Sequence, residues 1–397
     1  MDFKLIGGIL LIVGTSIGAG MLALPVATHQ FGFIGASLLL LLCWSIMTYG
    51  ALLILEVNLW LPENSNLISM AELTLGKKGA VVAWLCYLLL LYSLLAAYIA
   101  GGSELFFGLF QHNVDFLNPH NAAILFTLFF GLIVYGGIKA VDYAMRGLMV
   151  VKLTSYFLLV ILLLKFIHPD QLGIIAWQHQ GLTAALMVTL TSFGYAAIVP
   201  SLRVYFASDI YKLKQAILIG SLIPMLCYLA WNAAIIGILP LSGIYSLVKI
   251  AAVPNTTAAL VAALIANTHQ ANVVLASQIF TSICVLTSFL GVGLCLVDFF
   301  ADGLRLQKQG WRKIFLQIIT FMPPLLIVLV NPDIFVSALK YAGFYCVTLL
   351  VILPALMAWS GRYKMKFLGN YTVPGGKFML VVLVAISFLC MMSSIII

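Results

Sequence analysis

The sequence predicts an all-α integral membrane protein made of two inverted five-helix halves and one extra helix. Three observations carry this. Of 397 residues, 63% are hydrophobic and only 8% charged, with a mean hydropathy of +1.15, whereas soluble domains carry about 25% charged residues. Apolar runs of about 20 residues, long enough to cross a bilayer, follow one another along nearly the whole length. Two of them are interrupted by glycine and proline at corresponding places, the mark of binding helices in inverted-repeat transporters.

The runs define eleven spans: 3–28, 33–58, 80–109, 122–139, 147–167, 182–206, 213–238, 272–301, 312–330, 334–359 and 376–396. Their alternation sorts the connecting loops into two sets. Of the 20 lysines and arginines, all but Lys165, Lys249 and Lys340 fall on one side. The positive-inside rule makes that side cytoplasmic, so the N-terminus is expected in the cytoplasm and the C-terminus outside. The net charge of +8 is thus an orientation signal and not a nucleic-acid footprint. All six histidines (His29, His112, His120, His168, His179, His269) fall on the other side, which leaves no histidine proton relay in the membrane. The seven cysteines (Cys43, Cys86, Cys227, Cys284, Cys295, Cys346, Cys390) lie inside apolar runs without metal-ligand spacing and read as small buried hydrophobes. Residues 239–271 are too apolar for an ordinary loop. They divide at Pro254 into two helices, 242–252 and 255–267, each too short to cross, and are expected to form an external cap. No cleaved signal peptide is expected, because the n-region holds a single lysine and no soluble domain follows.

Span one contains Gly14-Thr15-Ser16-Ile17-Gly18-Ala19-Gly20-Met21, followed by Pro25. Glycine costs a helix interior about 1 kcal/mol relative to alanine. In hydrocarbon each freed backbone group also needs a partner, so broken helices are tolerated only where protein or a cavity supplies one. Five spans later comes Thr191-Ser192-Phe193-Gly194-Tyr195-Ala196-Ala197-Ile198-Val199-Pro200-Ser201. After an odd number of crossings this span runs antiparallel to the first, as an inverted repeat requires. The domain reading follows: 1–167 as the first repeat, 182–359 as the second with its cap at 239–271, and 376–397 as an appended helix. Gly14 and Gly18 also form a GxxxG pair, whose plain meaning is close helix packing. The matched placement of the two interrupted spans favours broken helices.

These residues resemble the hydroxy/aromatic amino acid permease family of bacteria, within the amino acid–polyamine–organocation superfamily. The matching strings are the run Gly14 to Ala23, Leu55-Glu56-Val57, and Ala96-Ala97-Tyr98-Ile99 with Gly102 and Glu104-Leu105. Thr191-Ser192-Phe193-Gly194 with Val199-Pro200-Ser201, Thr287-Ser288-Phe289-Leu290-Gly291-Val292 with Asp298, and Tyr341-Ala342-Gly343 also match. The glycine-rich string is shared across the superfamily, while the span-six and span-eight strings together are specific to the family. The resemblance implies a LeuT-type fold, uptake of an aromatic amino acid (tyrosine first) by proton symport with alternating access, and a place in the bacterial inner membrane. Tyr195-Ala196-Ala197 departs from the family pattern of Phe followed by His or another polar residue, at the end that borders the substrate side chain.

A zwitterion at the membrane midplane needs partners for both charges. Freed N–H groups at the span-one break, spanning Gly18, Ala19, Gly20 and Met21, can hold a carboxylate together with the Thr15 and Ser16 hydroxyls. Carbonyls around Ser192, Phe193 and Gly194 can accept from the ammonium. Tyr98, Phe193, Tyr195 and Phe344 are the candidates for ring contact, each of which also reads as an ordinary core aromatic. Lys152, inside span five and about 8 Å from its cytoplasmic end at 1.5 Å per residue, reads either as a snorkelling lysine or as a coupling group. In the coupling reading, drawn by analogy with proton-coupled relatives of the fold, its ammonium stands in the place of a sodium ion between span-one carbonyls and the Thr287 and Ser288 hydroxyls. The same hydroxyls leave a sodium-coupled or exchange-type transporter as the alternative. Glu56, Glu104, Arg203 and Asp298 read as gate or structural ion-pair residues; Arg203 could pair with Asp298 or Asp302 in an inner gate, and no sequence argument fixes the partner.

A membrane-embedded enzyme would need a nucleophile–base pair, a metal set or paired carboxylates within the spans, and none is visible. No cofactor is expected. The expected partners are an aromatic amino acid, H+ and the lipid bilayer, with no nucleic acid and no obligate protein partner.

Overall fold

The computed structural model describes all residues except 1, 2, 64, 111–117, 174–180, 241, 242, 244, 254, 255, 368, 370 and 397. His112, His179 and the proposed divider Pro254 therefore lie outside the described residues. The chain is built of helices, with no strand among the described residues. Eight helical runs are long and apolar enough to cross a membrane, and shorter apolar helices accompany them. The chain is an all-helical integral membrane protein.

The helices, in order, are α1 (Phe3–Ser16), α2 (Ala19–Thr28), α3 (Gly32–Leu59), α4 (Leu67–Phe110), α5 (Pro119–Tyr135), α6 (Ile138–Leu163), α7 (Pro169–Leu172), α8 (Leu182–Ser192), α9 (Val199–Tyr205), α10 (Ile210–Ile238), α11 (Leu247–Ala252), α12 (Thr256–Thr268), α13 (Ala271–Gly303), α14 (Gly310–Val330), α15 (Phe335–Val347), α16 (Leu353–Trp359) and α17 (Gly376–Ile396). Each of the eleven ranges read from the sequence falls on one or more of them. The run Ala19–Leu59 has 41 residues, about 60 Å at 1.5 Å per residue and twice a hydrocarbon core of about 30 Å. It doubles back at a short turn, His29–Phe31, where Gly32 takes a φ of 62°, a left-handed value that glycine adopts without strain.

Both interrupted spans are broken. Between α1 and α2, Gly18 is extended at φ −152° and ψ −157°. Between α8 and α9, Phe193 leaves helical geometry and a 3-10 turn runs over Gly194–Ile198. The two prolines play different parts. Pro200 opens α9, where its missing N–H costs nothing, whereas Pro25 lies inside the continuous α2. The glycines, not the prolines, mark where both helices stop.

The broken helices sit at the centre. All ten residues of α2 are buried, as are most of α8. α1 packs along α10, α2 along α8, α13 against α6 and α4, and α15 against α4 and α8. α6 and α14 turn apolar side chains such as Phe157, Ile161, Ile318 and Leu326 outward, as a helix facing lipid tails does. Of the expected cap, α11 lies on α2 and the adjoining turn, while α12 lies on α13 and α4. α17 packs on α8, α16 and the π turn Thr348–Ile352.

One buried ion pair fixes the end of the bundle near the α3 C-terminus. Glu56 is fully buried and accepts from Arg362 Nε at 2.6 Å, Arg362 Nη2 at 2.5 Å and the Val373 N–H at 2.7 Å. It joins α3, the end of the α16 run and the loop leading to α17. Removing one partner of such a pair costs about 3–5 kcal/mol, because a buried charge is left unmatched. Glu56→Gln is therefore expected to lower the thermal unfolding midpoint of the detergent-purified protein sharply. Glu56→Leu combined with Arg362→Met is expected to regain most of the loss.

Candidate functional site

The break in span one ends α1 and starts α2 within three residues, exposing unpaired carbonyls on one side and unpaired N–H groups on the other. Each set finds a partner from another helix. Lys152, on α6 and fully buried, donates from Nζ to the Ile17 carbonyl at 2.6 Å, the Gly14 carbonyl at 3.4 Å and Thr287 Oγ1 at 3.4 Å. These oxygens match the three donors of an ammonium, and all three partners are neutral. Two belong to the C-terminal end of α1, where the helix dipole favours a cation. On the other side, the Ala19 N–H donates to Ser288 Oγ at 3.0 Å, so α13 supplies the cap that α2 lacks locally. The fit is close: a Cβ on Gly18 would run into Ser288 Oγ.

Tyr228 of α10 joins the two breaks. Its hydroxyl lies 2.6 Å from the Ser16 carbonyl and 2.8 Å from the Ser192 carbonyl. One hydroxyl proton serves two acceptors, one at the end of α1 and one at the end of α8. The ring is fully buried and meets the Phe193 ring edge-on, centroids 5.1 Å apart. Sequence reasoning missed Tyr228. Its signal was a phenol in mid-span, where hydrocarbon demands a partner for the hydroxyl.

A cavity of about 720 Å³ reaches both breaks. Thr15, Ser16, Gly18, Gly20, Tyr98, Ser192, Gly194, Tyr195, Thr287 and Ser288 line it, as do Thr191 and Gly291. It continues past Leu10, Arg146 and Ser201 to Gly7, near the start of α1. Among the described residues, none of α11 or α12 contributes to the wall. Ala19, Met21, Phe193, Phe344 and Lys152 are not on the wall, although two partners of Lys152, Gly14 and Thr287, are. Phe193 is turned onto Tyr228 instead, because leaving the helix at that residue swings its ring toward α10.

The hydroxyls differ in what they have left to offer. Thr15 Oγ1 donates back to the Leu11 and Ile12 carbonyls and Ser192 Oγ to the Val188 carbonyl, whereas Ser16 Oγ is buried with no hydrogen-bond partner among the described residues. Tyr195 puts its ring on the cavity and its hydroxyl away from it, donating to Thr48 Oγ1 on α3 at 2.9 Å.

The expected gate pairs are corrected. Arg203 does not pair with Asp298 or Asp302. Its Nη1 donates to the Asn58 and Leu61 carbonyls, the latter at 2.8 Å, and its Nε to Ser208 Oγ at 3.1 Å. Ser208 in turn donates to Glu63 Oε1. These carbonyls belong to the last turn of α3 and the residues just past it, which leave acceptor capacity for α9. Asp298 pairs with Lys308 at 2.6 Å, close in sequence and half-exposed. Glu104 accepts from the Thr257 hydroxyl at 2.5 Å and the Thr257 N–H at 3.3 Å, which ties α4 to α12. Among the described residues no cluster of three His, Cys, Asp or Glu is placed to hold a metal ion.

A profile of the tryptophan/tyrosine permease family matches residues 1–394. The chain is 35% identical to tyrosine-specific transport system 2 of Haemophilus influenzae, over 98% of this chain and 95% of that protein. It is 33% identical to the tryptophan-specific transport protein of the same organism, over 95% and 92%. Glutamine transporter 2 of Aliivibrio fischeri is 32% identical over the full length of both.

Tyr228→Phe keeps the ring and removes the proton shared by the two breaks. A buried acceptor left unpaired costs about 1–3 kcal/mol. The variant is expected to unfold at a lower temperature than the unaltered protein, measured by thermal unfolding in detergent without added ligand.

Proposed function

The chain belongs to the tryptophan/tyrosine permease family, and on that premise we propose that it imports an aromatic amino acid by proton symport. Its relatives named for tyrosine and tryptophan transport support the substrate class. The observation that carries the reading is the pair of facing breaks on one cavity, bridged by Tyr228. In it the substrate carboxylate meets the N-terminal N–H groups of α2 and the unpartnered Ser16 hydroxyl. The ammonium meets the Ser16 and Ser192 carbonyls, which share one proton when the site is empty. Tyr98 and Tyr195 form the aromatic wall, with offset or edge-on ring packing worth about 0.5–1.5 kcal/mol per pair.

Coupling rests on Lys152. Its ammonium fills the oxygen-lined position between Ile17, Gly14 and Thr287 that a sodium ion would otherwise take, and it would repel a second cation placed there. Held by neutral partners only, it can give up its proton when α1 moves. Loss of the proton frees the last carbonyls of α1 and so links the proton to the position of that helix.

The packing also supports a LeuT-type fold of five plus five helices, plus an eleventh. Replacing each span by the one five places away exchanges α4 with α13, α6 with the α15–α16 run and α1–α2 with α8–α9. Under that exchange the contact of α15 with α4 becomes that of α6 with α13, and both pairs are extensively packed. One pair breaks the correspondence: α8 packs closely along α15, while α1 and α6 meet through the Lys152 and Met149 side chains beside the cavity. That difference, with a cavity that runs on to Gly7 and that no described residue of α11 or α12 lines, is what alternating access predicts for one of its two states. With the positive-inside orientation this state faces the cytoplasm of a bacterial inner membrane.

Three experiments test the reading. In proteoliposomes, unlabelled tyrosine, tryptophan or phenylalanine is expected to compete best against labelled tyrosine among the twenty amino acids. Best competition by glutamine would overturn the aromatic assignment. A pH gradient, and not a sodium gradient, is expected to drive accumulation, and Lys152→Ala is expected to abolish it; accumulation retained by that variant would remove Lys152 as the coupling group. Cys295 lines the cavity and is exposed, while the other cysteines are buried or half-buried. A maleimide presented from the cytoplasmic face is expected to alkylate Cys295 first, with mass spectrometry locating the adduct.

A further inference from the structure

Six glycines line the cavity: Gly7, Gly14, Gly18, Gly20, Gly194 and Gly291. Four of them have a packing reason. A Cβ at Gly7 would strike the Tyr205 hydroxyl, at Gly14 the Met149 methyl, at Gly18 Ser288 Oγ, and at Gly20 it would press on Ser192 Oγ at 3.0 Å. Gly194 opens the 3-10 turn in the second break, where a Cβ would make ordinary contact with Cys346 Sγ at 3.7 Å. Gly291 stands apart. It lies in the unbroken interior of α13, and a Cβ built there meets nothing within 4 Å. Glycine is a poor residue for a helix interior, so this position keeps an unfavourable residue without a helix, side chain or backbone pressing on it.

What lies in front of it is the cavity. Gly291 follows Ser288 by three residues and Thr287 by four, so all three share one face of α13, and all three line the cavity. That stripe meets the first break through the Ser288 contact with Ala19 and the Thr287 contact with Lys152. Resting on the aromatic-substrate reading above, we propose that Gly291 is a specificity-determining residue: its missing side chain makes the room that admits an aromatic ring. A side chain at 291 would occupy cavity space and leave the packing of α13 untouched, so it would exclude bulky substrates before small ones.

The test is a graded series, Gly291→Ala, Gly291→Val and Gly291→Leu, purified and reconstituted beside the unaltered protein. Gly147 of α6 serves as control, since a Cβ there also meets nothing within 4 Å but the residue does not line the cavity. Gly147→Ala is expected to transport as the unaltered protein does. Along the Gly291 series the KM for tyrosine and tryptophan is expected to rise stepwise, by tenfold or more at leucine, while alanine and other small amino acids hold or gain in competition. Unchanged KM and preference at Gly291→Leu would overturn the proposal. So would an equal fall of maximal rate for every substrate, which would mark a passage constriction and not selection. Gly291→Ala, the smallest change, guards against misfolding of the larger variants, and Cys295 alkylation reports that the cavity is formed. If the unaltered protein itself prefers a non-aromatic substrate, the aromatic reading fails. The Gly291 proposal then stands or falls on whether the upper size limit of accepted side chains drops along the same series.

Discussion

Breaking a helix where no water reaches it leaves carbonyls and N–H groups that some other part of the protein must satisfy. Nearly every feature of the site answers that constraint. Lys152 takes the carbonyls at the end of α1, Ser288 takes the first N–H of α2, and Tyr228 divides one proton between the ends of α1 and α8. These partners come from α6, α13 and α10, helices far apart in sequence, and each arrives with the donor or acceptor the break requires. The lysine belongs to this set on equal terms. It is a buried ammonium held by neutral oxygens, with partners at the end of α1 and on α13, two helices that wall the cavity.

Around that centre the charged residues act as fasteners. Glu56 and Arg362 join α3 to the end of the α16 run, and Arg203 holds α9 to the last carbonyls of α3. Glu104 holds α4 to α12 through Thr257. None of these side chains lines the large cavity. They tie helix ends together around it, leaving α1 as an element whose end is secured by Lys152 and Tyr228 and whose inner face borders open space.

Much of this was legible from residue order. The breaks were readable because glycines gathered at 14, 18 and 20, and again at 194, weaken a helix, and because the two places correspond; Gly14 and Gly20 themselves stay helical. The pairing of Lys152 with Thr287 came from the likeness to proton-coupled relatives of the fold, since residue order alone left a snorkelling lysine as an equal reading. The gate partners were not. A guanidinium accepts any oxygen in reach, and whether Arg203 meets a carboxylate or the end of α3 depends on how α9 leaves its break. Phe193 looked like a ring contact for the substrate, yet its orientation depends on the backbone angles of the one residue at which the helix stops.

The sequence by itself determined the membrane setting and the positions of both breaks. These follow from composition and local backbone cost, which need no knowledge of neighbours. The tertiary structure alone decided which groups close the breaks, which aromatics face the cavity, and which glycines are small for packing and which for open space. Tyr228 and Gly291 are both inconspicuous in an apolar span. The first matters because two distant helix ends meet at its hydroxyl, the second because nothing meets it at all. Only packing in three dimensions can distinguish the two.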